Sequence, residues 1–330
     1  MTRVQTQAKV SASWRFVASP VNPVAPFVEE SARGVGRNDI YHHSLGQGET
    51  ARRSGLLSSL AFGIDEVPPS FHKGKCMSEK SSRRIRLEVC VASLDDVDAA
   101  ERGGADRLEL NAALGLGGLT PSLGALIEVK QTTRLPVVAM IRPRPGGFAY
   151  SPADLRVMDR DADLCLQHDA EGLAFGFLKD DGRVDESRCR AFLSRIPTGR
   201  ESVFHRAFDV TPDPFEALET LIGLGLTRIL TSGQEESAYA GAELIRRLIN
   251  RAEGRIEILP AGGINRFTLR DVVERTRCDQ VHGSLRTTLR DPSTSARPSI
   301  GFGAAFKPSE DRFDTTDLAR VLEIRALLDR

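Results

Sequence analysis

From residue 85 onward the chain alternates short apolar runs with longer amphipathic ones. The apolar runs cover residues 85–91, 105–111, 135–142, 172–178, 203–206, 228–231, 256–260 and 280–282. Short runs of this kind, bounded by turn residues, read as strands buried on both faces. Between and after them lie helical patterns at 94–102, after Pro121, and at 152–168, 186–195, 212–223, 236–251, 267–276 and 315–328. Ser93 supplies an N-cap to the first helix and Gly103-Gly104 stops it, while Pro121 opens the second at its first turn. Strict alternation implies a parallel sheet with right-handed crossovers. Eight such units fit an α/β fold of the (β/α)8, TIM-barrel type with a closed parallel sheet. A doubly wound open sheet is the structural competitor, but no GxGxxG turn follows the first strand. A polar, proline-containing stretch at about 290–312 precedes the last helix.

Residues 1–82 break this pattern. They carry clusters of Ser, Arg, Pro and Gly, and their apolar residues, as at 21–28, are interrupted by Pro23 and Pro26. A segment of this kind buries too little surface to offset its ordering entropy, and is expected to be a disordered leader. The first 28 residues contain no acid, a faint transit-peptide character, but there is no secretory h-region. Met77 stands just before the first strand and offers a native start, with the residues upstream an over-extended gene start or leader. His42, His43 and His72 fall here and receive no role.

Composition narrows the functions. The 45 basic and 45 acidic side chains balance, so no basic excess exists to hold nucleic acid or an anionic membrane. No apolar run approaches the roughly 20 residues of a membrane span. The five cysteines are odd in number, scattered and free of any CxxC pair, which points to a reducing cytoplasm.

In a barrel of this type the site lies at the C-terminal strand ends. Those ends supply Glu88 and Cys90, then Arg107, Glu109 and Asn111, then Arg142 and Arg144. Later strands add His205, Arg206 and Asp209, then Ser232 and Gln234, and finally His282 and Ser284. His205 and Arg206 at a strand end are costly to bury unless paired, and Asp209 is in reach of Arg206. For an acid–base site, Glu88 or Glu109 would be the base and His205 the acid, with Asp209 in the same set. Arg142 and Arg206 would grip an anionic substrate by bidentate contacts. Arg107, Arg144, Ser232 and Ser284, with the backbone of Gly262 and Gly263, would complete an anion site after the last strands. The metal alternative rests on Cys90 with His205 or His282, since Cu(I) prefers soft ligands. Cys90 is the one cysteine at a C-terminal strand end, although a lone cysteine also fills core gaps.

Six ordered motifs carry a resemblance. They are Glu88-Val89-Cys90, Gly104 to Leu110, Gly117-Gly118-Leu119-Thr120-Pro121-Ser122, Ile141-Arg142-Pro143-Arg144, Phe204 to Asp209, and Ile229 to Gly233. Together they resemble the CutC family of copper homeostasis proteins over residues 85–330. The resemblance implies a cytoplasmic barrel, a homodimer or homotetramer, associated with copper tolerance and binding Cu(I). Cys90 matches the cysteine of the family's first-strand motif. The second-strand motif commonly reads Glu-Leu-Cys, and Asn111 stands in its last position here, removing a soft ligand near the mouth. The arginines favour a small anionic ligand instead, since cations repel a cation. That leaves a lyase or isomerase of a phosphorylated or carboxylated metabolite as the competing expectation.

Overall fold

The computed structural model describes residues 84–303 and 309–330. The expected leader, with Met77, Cys76 and its three histidines, lies outside the described residues. Eight strands form one parallel sheet: β1 (Arg86–Val91), β2 (Arg107–Leu110), β3 (Val137–Met140), β4 (Gly172–Phe175), β5 (Glu201–Phe204), β6 (Arg228–Thr231), β7 (Glu257–Pro260) and β8 (Gln280–Gly283). Each pairs in parallel with its sequence neighbour from β1 to β7, and β8 returns to pair with β1. The ring is a (β/α)8 barrel whose seam lies between β7 and β8. Side chains bridge that seam, with Gln280 Nε2 donating to Glu257 Oε2 at 3.2 Å.

The helices alternate as α1 (Leu94–Arg102), α2 (Leu123–Thr132), α3 (Pro152–Gln167), α4 (Glu186–Leu193), α5 (Pro214–Leu224), α6 (Ala242–Ala252), α7 (Leu269–Thr276) and α8 (Leu318–Leu328). Local chemistry sets their starts. The Ser93 side chain accepts from Asp96 N, and Ser151 and Asp154 form a reciprocal capping box. Five starts differ from the sequence expectation: α5 and α7 each begin two residues later, and the other three shifts are as follows. α2 begins behind Ser122, its N-cap, so Pro121 lies before the helix. α6 begins at Ala242, not Glu236, because Gly241 packs against the end of β6. A Cβ there would lie 2.0 Å from the Ser232 carbonyl oxygen. α8 begins after Asp317 because Arg312–Thr316 form a strand, β10, antiparallel to β9 (Arg286–Arg290). That hairpin replaces part of the expected irregular stretch.

Period-2 alternation then sorts every strand. Leu87, Val89, Val91, Leu108, Leu110, Val137 and Ala139 belong to the apolar layer between sheet and helices. The opposite faces fill the barrel, and they fill it unevenly. Val138, Met140, Ala174, Val203, Leu230, Leu259 and Ala261 form an apolar half. The other half, on β8, β1 and β2, is polar: Gln280, His282, Glu88, Cys90, Arg107, Glu109 and Asn111, all buried. At the N-terminal end, Arg228 pairs with Glu257 at 2.8 Å and bidentately with Glu201 at 2.8 and 3.0 Å. Arg86 also reaches Glu257 at 2.8 Å. Buried Arg228 thus has carboxylate partners, as burial requires, while Glu201, Glu257 and Arg86 are half-buried around it.

Candidate functional site

The polar wedge rises from this floor to the C-terminal mouth. Register sets Glu88 beside Arg107 on one side and His282 on the other, and Cys90 beside Glu109. Glu88 accepts from Arg107 Nε with one carboxylate oxygen, and its other oxygen lies 2.7 Å from His282 Nδ1. Arg107 also donates to Gln280 at 3.1 Å. One layer higher, His282 Nε2 lies 3.9 Å from Glu109. The Asn111 amide donates to Glu109 at 2.9 Å and to Cys90 Sγ at 3.4 Å. Ligand atoms of Cys90, Glu109 and His282 all fall within 4.8 Å of one another.

Electrostatics follow from this order. Burial alone would raise the Glu88 carboxyl, but Arg107 and the bond to His282 outweigh it and hold Glu88 well below the carboxylate range. Glu109 lacks a guanidinium, so burial and the nearby Glu88 charge push it up despite His282. Burial would lower His282, yet Glu109 and Glu88 on either side raise it. The Cys90 thiol is driven well above its usual value by burial and then by Glu109 and Glu88. The wedge therefore sets a carboxylate with a lowered pKa beneath an imidazole, a carboxyl and a thiol whose pKa values are all raised.

A cavity of ≈ 370 Å³ opens above these groups. Cys90, Glu109, Asn111, His282 and Ser284 line one wall, while Met140, Arg142, Phe148, His205, Arg206 and Leu230 line the other, with Arg286 at the edge. Glu88 and Arg107 lie beneath the cavity and act on it through His282. Gly176 makes room for His205, since a Cβ there would meet its Cε1 at 2.5 Å. His205 Nδ1 accepts from Ala207 N at 3.1 Å, which leaves the proton of a neutral ring on Nε2. Nε2 is buried with no partner. Burial and the Arg142 charge lower this imidazole to about 3, so it remains a neutral donor.

The remaining candidates hold loops. Arg142 donates from its guanidinium to the carbonyls of Leu116, Gly118 and Gly146 at 3.2, 3.0 and 2.9 Å, tying two mouth loops together. Its Nε is buried without a partner. Arg144 turns away to Asp154 at 3.0 Å and to the carbonyl of Ala149 at 2.9 Å. Asp209 is a loop organiser, accepting from Ser232 N at 3.0 Å, Ser232 Oγ at 2.9 Å and Arg206 Nε at 2.7 Å. The Gly262 carbonyl accepts from Ala238 N at 2.9 Å and that of Gly263 from Thr268 Oγ1 at 2.7 Å. Sequence reasoning passed over Met140, Phe148 and Arg286. Met140 looks like one more apolar residue of an apolar strand, and Phe148 and Arg286 lie in a loop and in the unanticipated hairpin.

Fold and site thus define a (β/α)8 barrel with a buried thiol–carboxylate–imidazole cluster that could hold a metal at its mouth. Residues 85–287 match the CutC family model. A CutC family protein of Treponema denticola is 48% identical over 242 residues, covering 73% of this chain and 98% of its own length. The human protein named copper homeostasis protein cutC homolog is 43% identical over 241 residues, 73% of this chain and 88% of the relative. A crystal structure of CutC from Streptococcus agalactiae superposes with a TM-score of 0.58 at 32% identity, covering 61% of this chain and 98% of that one. The chain belongs to the CutC family, whose members include proteins named for copper homeostasis. Among the described residues, no helix is long and apolar enough to cross a membrane.

Proposed function

We propose that the barrel mouth binds Cu(I) as cargo, through Cys90 Sγ and His282 Nε2. The convergence of Cys90, Glu109 and His282 within 4.8 Å carries this reading. A thiolate and an imidazole suit Cu(I), and Met140 borders the same cavity with a thioether. Glu88 holds His282 through Nδ1, the carboxylate support that orients a metal-binding histidine and leaves Nε2 for the metal. Asn111, at the position of the family's second cysteine, donates to Cys90 Sγ and favours the thiolate. Three of the arginines have a carboxylate partner that lessens their repulsion of a cation, whereas Arg142, bonded to carbonyls, keeps its charge beside the cavity. Arg107 is paired with Glu88, Arg206 with Asp209 and Arg144 with Asp154, and Arg142 is turned to loop carbonyls. Anaerobic Cu(I) titration against a chromophoric chelator tests the reading. Cys90→Ser should weaken binding by at least about tenfold, and Glu88→Gln by about 10–100-fold through His282. Unchanged affinity in Cys90→Ser removes the thiolate from the site.

The orphan Nε2 donor of His205 favours a second reading, in which the cavity takes the carbonyl or carboxylate oxygen of a small anionic metabolite. Glu109, with its raised pKa, would then exchange a proton with that ligand in a lyase or isomerase reaction. A thermal-shift screen of phosphorylated and carboxylated metabolites tests it, since a ligand at 100 times its Kd adds about 2.7 kcal/mol. No stabilisation by any of them rejects it. The free, buried Cys165, Cys189 and Cys278 support a reducing, cytoplasmic setting. Exposed Leu289 and Phe313 on the β9–β10 hairpin support self-association as a homodimer or homotetramer, to be checked by light scattering.

A further inference from the structure

Beside the mouth, the loop after β7, the end of β8 and α8 enclose a second groove of ≈ 660 Å³. It shares Ser284 and Arg286 with the mouth cavity, so the two compartments adjoin. Its floor is apolar, formed by Ile264, Leu285 and Ile324. Its polar wall sets Arg266, Arg286 and Arg320 against Glu323. Arg266 meets Glu323 at 3.4 Å and lies over the ring of Phe267, 4.4 Å from its centre. Arg286 donates to the Asp314 carbonyl at 3.0 Å and sits 3.8 Å from the Asp314 carboxylate, while its Nε is buried without a partner. Arg320 donates to the Arg286 carbonyl and lies 3.6 Å from Asp317.

Each guanidinium carries five N–H donors, so these contacts leave donors on all three. Phe267, 76% exposed, offers an aromatic face at the rim. We infer that this groove is a binding site for a small organic anion. Its phosphate or carboxylate is held by the three arginines, and its planar or apolar body rests on Phe267 and the floor. Guanidinium forks match both anionic groups, and an aromatic face beside them selects a ligand that is more than an inorganic ion. The corner between the last two strands is also where barrels of this type gather anion-binding groups. The inference stands apart from copper at the mouth and draws on none of the metal donors.

Titration of the full chain with phenyl phosphate, phenylacetate and inorganic phosphate, followed by calorimetry, tests it. Phenyl phosphate or phenylacetate should bind saturably and more tightly than inorganic phosphate. The better of the two identifies the preferred anionic group. The double variant Arg266→Gln/Arg320→Gln should weaken that binding by at least about tenfold, and Phe267→Ala should abolish the advantage over inorganic phosphate. All three side chains are more than half exposed, so the fold should survive, and Cu(I) affinity should be unchanged. No saturable binding of either aromatic anion at millimolar concentration, or equal affinity in the double variant, overturns the proposal.

Discussion

Replacing Arg107 with leucine isolates the electrostatic support beneath the mouth. Arg107 and Glu88 are 5% and 3% exposed, so the change strands a carboxylate that water barely reaches. Removing one partner of a buried pair costs about 3–5 kcal/mol. His282, 2.7 Å from the other carboxylate oxygen and inclined to keep its proton, should hold the loss near the lower figure. The loss should also depend on pH. In the parent, Glu88 has a lowered pKa, so its contribution is full above the unfolded value and fades only as pH falls toward the folded one. Without Arg107, burial dominates and the folded-state pKa rises above the unfolded value. Between those two values the variant loses up to about 1.4 kcal/mol per pH unit as pH rises. Guanidinium unfolding at pH 5 and pH 8 should therefore show a larger deficit at pH 8. The double variant Glu88→Leu/Arg107→Leu should recover most of it, because an apolar pair leaves no stranded charge. A deficit below about 1 kcal/mol at pH 8, or a double variant no better than the single, would refute the reasoning.

Other consequences are open to measurement. Cu(I) affinity should rise with pH, because binding displaces protons from a thiol and an imidazole that both hold them more tightly than usual; a pH-independent affinity would contradict this. His205 should stay neutral from pH 5 to 8, since its midpoint is lowered to about 3, and a nitrogen-15 NMR titration centred near the ordinary value of about 6.5 would contradict it. Gly176→Ala should destabilise the protein by about 1–3 kcal/mol in thermal unfolding and move the His205 resonances, because the added methyl meets that ring. Asp209→Ala should cost at least about 1.5–3 kcal/mol, the range for a single hydrogen bond to a charged group, since several are lost, and leave Cu(I) affinity intact, because Asp209 braces loops away from the metal donors.

The strands were legible because each is an apolar run between turn residues, and the helix start at Ser93 because its cap is local. The hairpin was not legible. Arg286–Arg290 and Arg312–Thr316 are mostly exposed and polar, so their pairing leaves little hydrophobic signature. The set of ionisable strand ends was visible, but not the direction of each side chain. Strand parity brings Glu88, Cys90, Glu109 and His282 together. The arginines were harder to place, because a guanidinium at a strand end serves a ligand or a loop carbonyl equally well. Arg142 and Arg144 meet carbonyls contributed by loops whose course no periodicity describes. The floor of Arg228, Glu201 and Glu257 was not legible, because charges at strand beginnings far apart in sequence become partners only through the register of three strands.

Copper K-edge absorption on the full chain loaded anaerobically with one equivalent of Cu(I) examines the metal's own surroundings. A mixed sulfur and nitrogen shell is expected, with the sulfur contribution reduced in Cys90→Ser and the nitrogen contribution reduced in His282→Ala. An oxygen-only shell, or a spectrum indifferent to Cys90→Ser, would contradict a copper site at the barrel mouth.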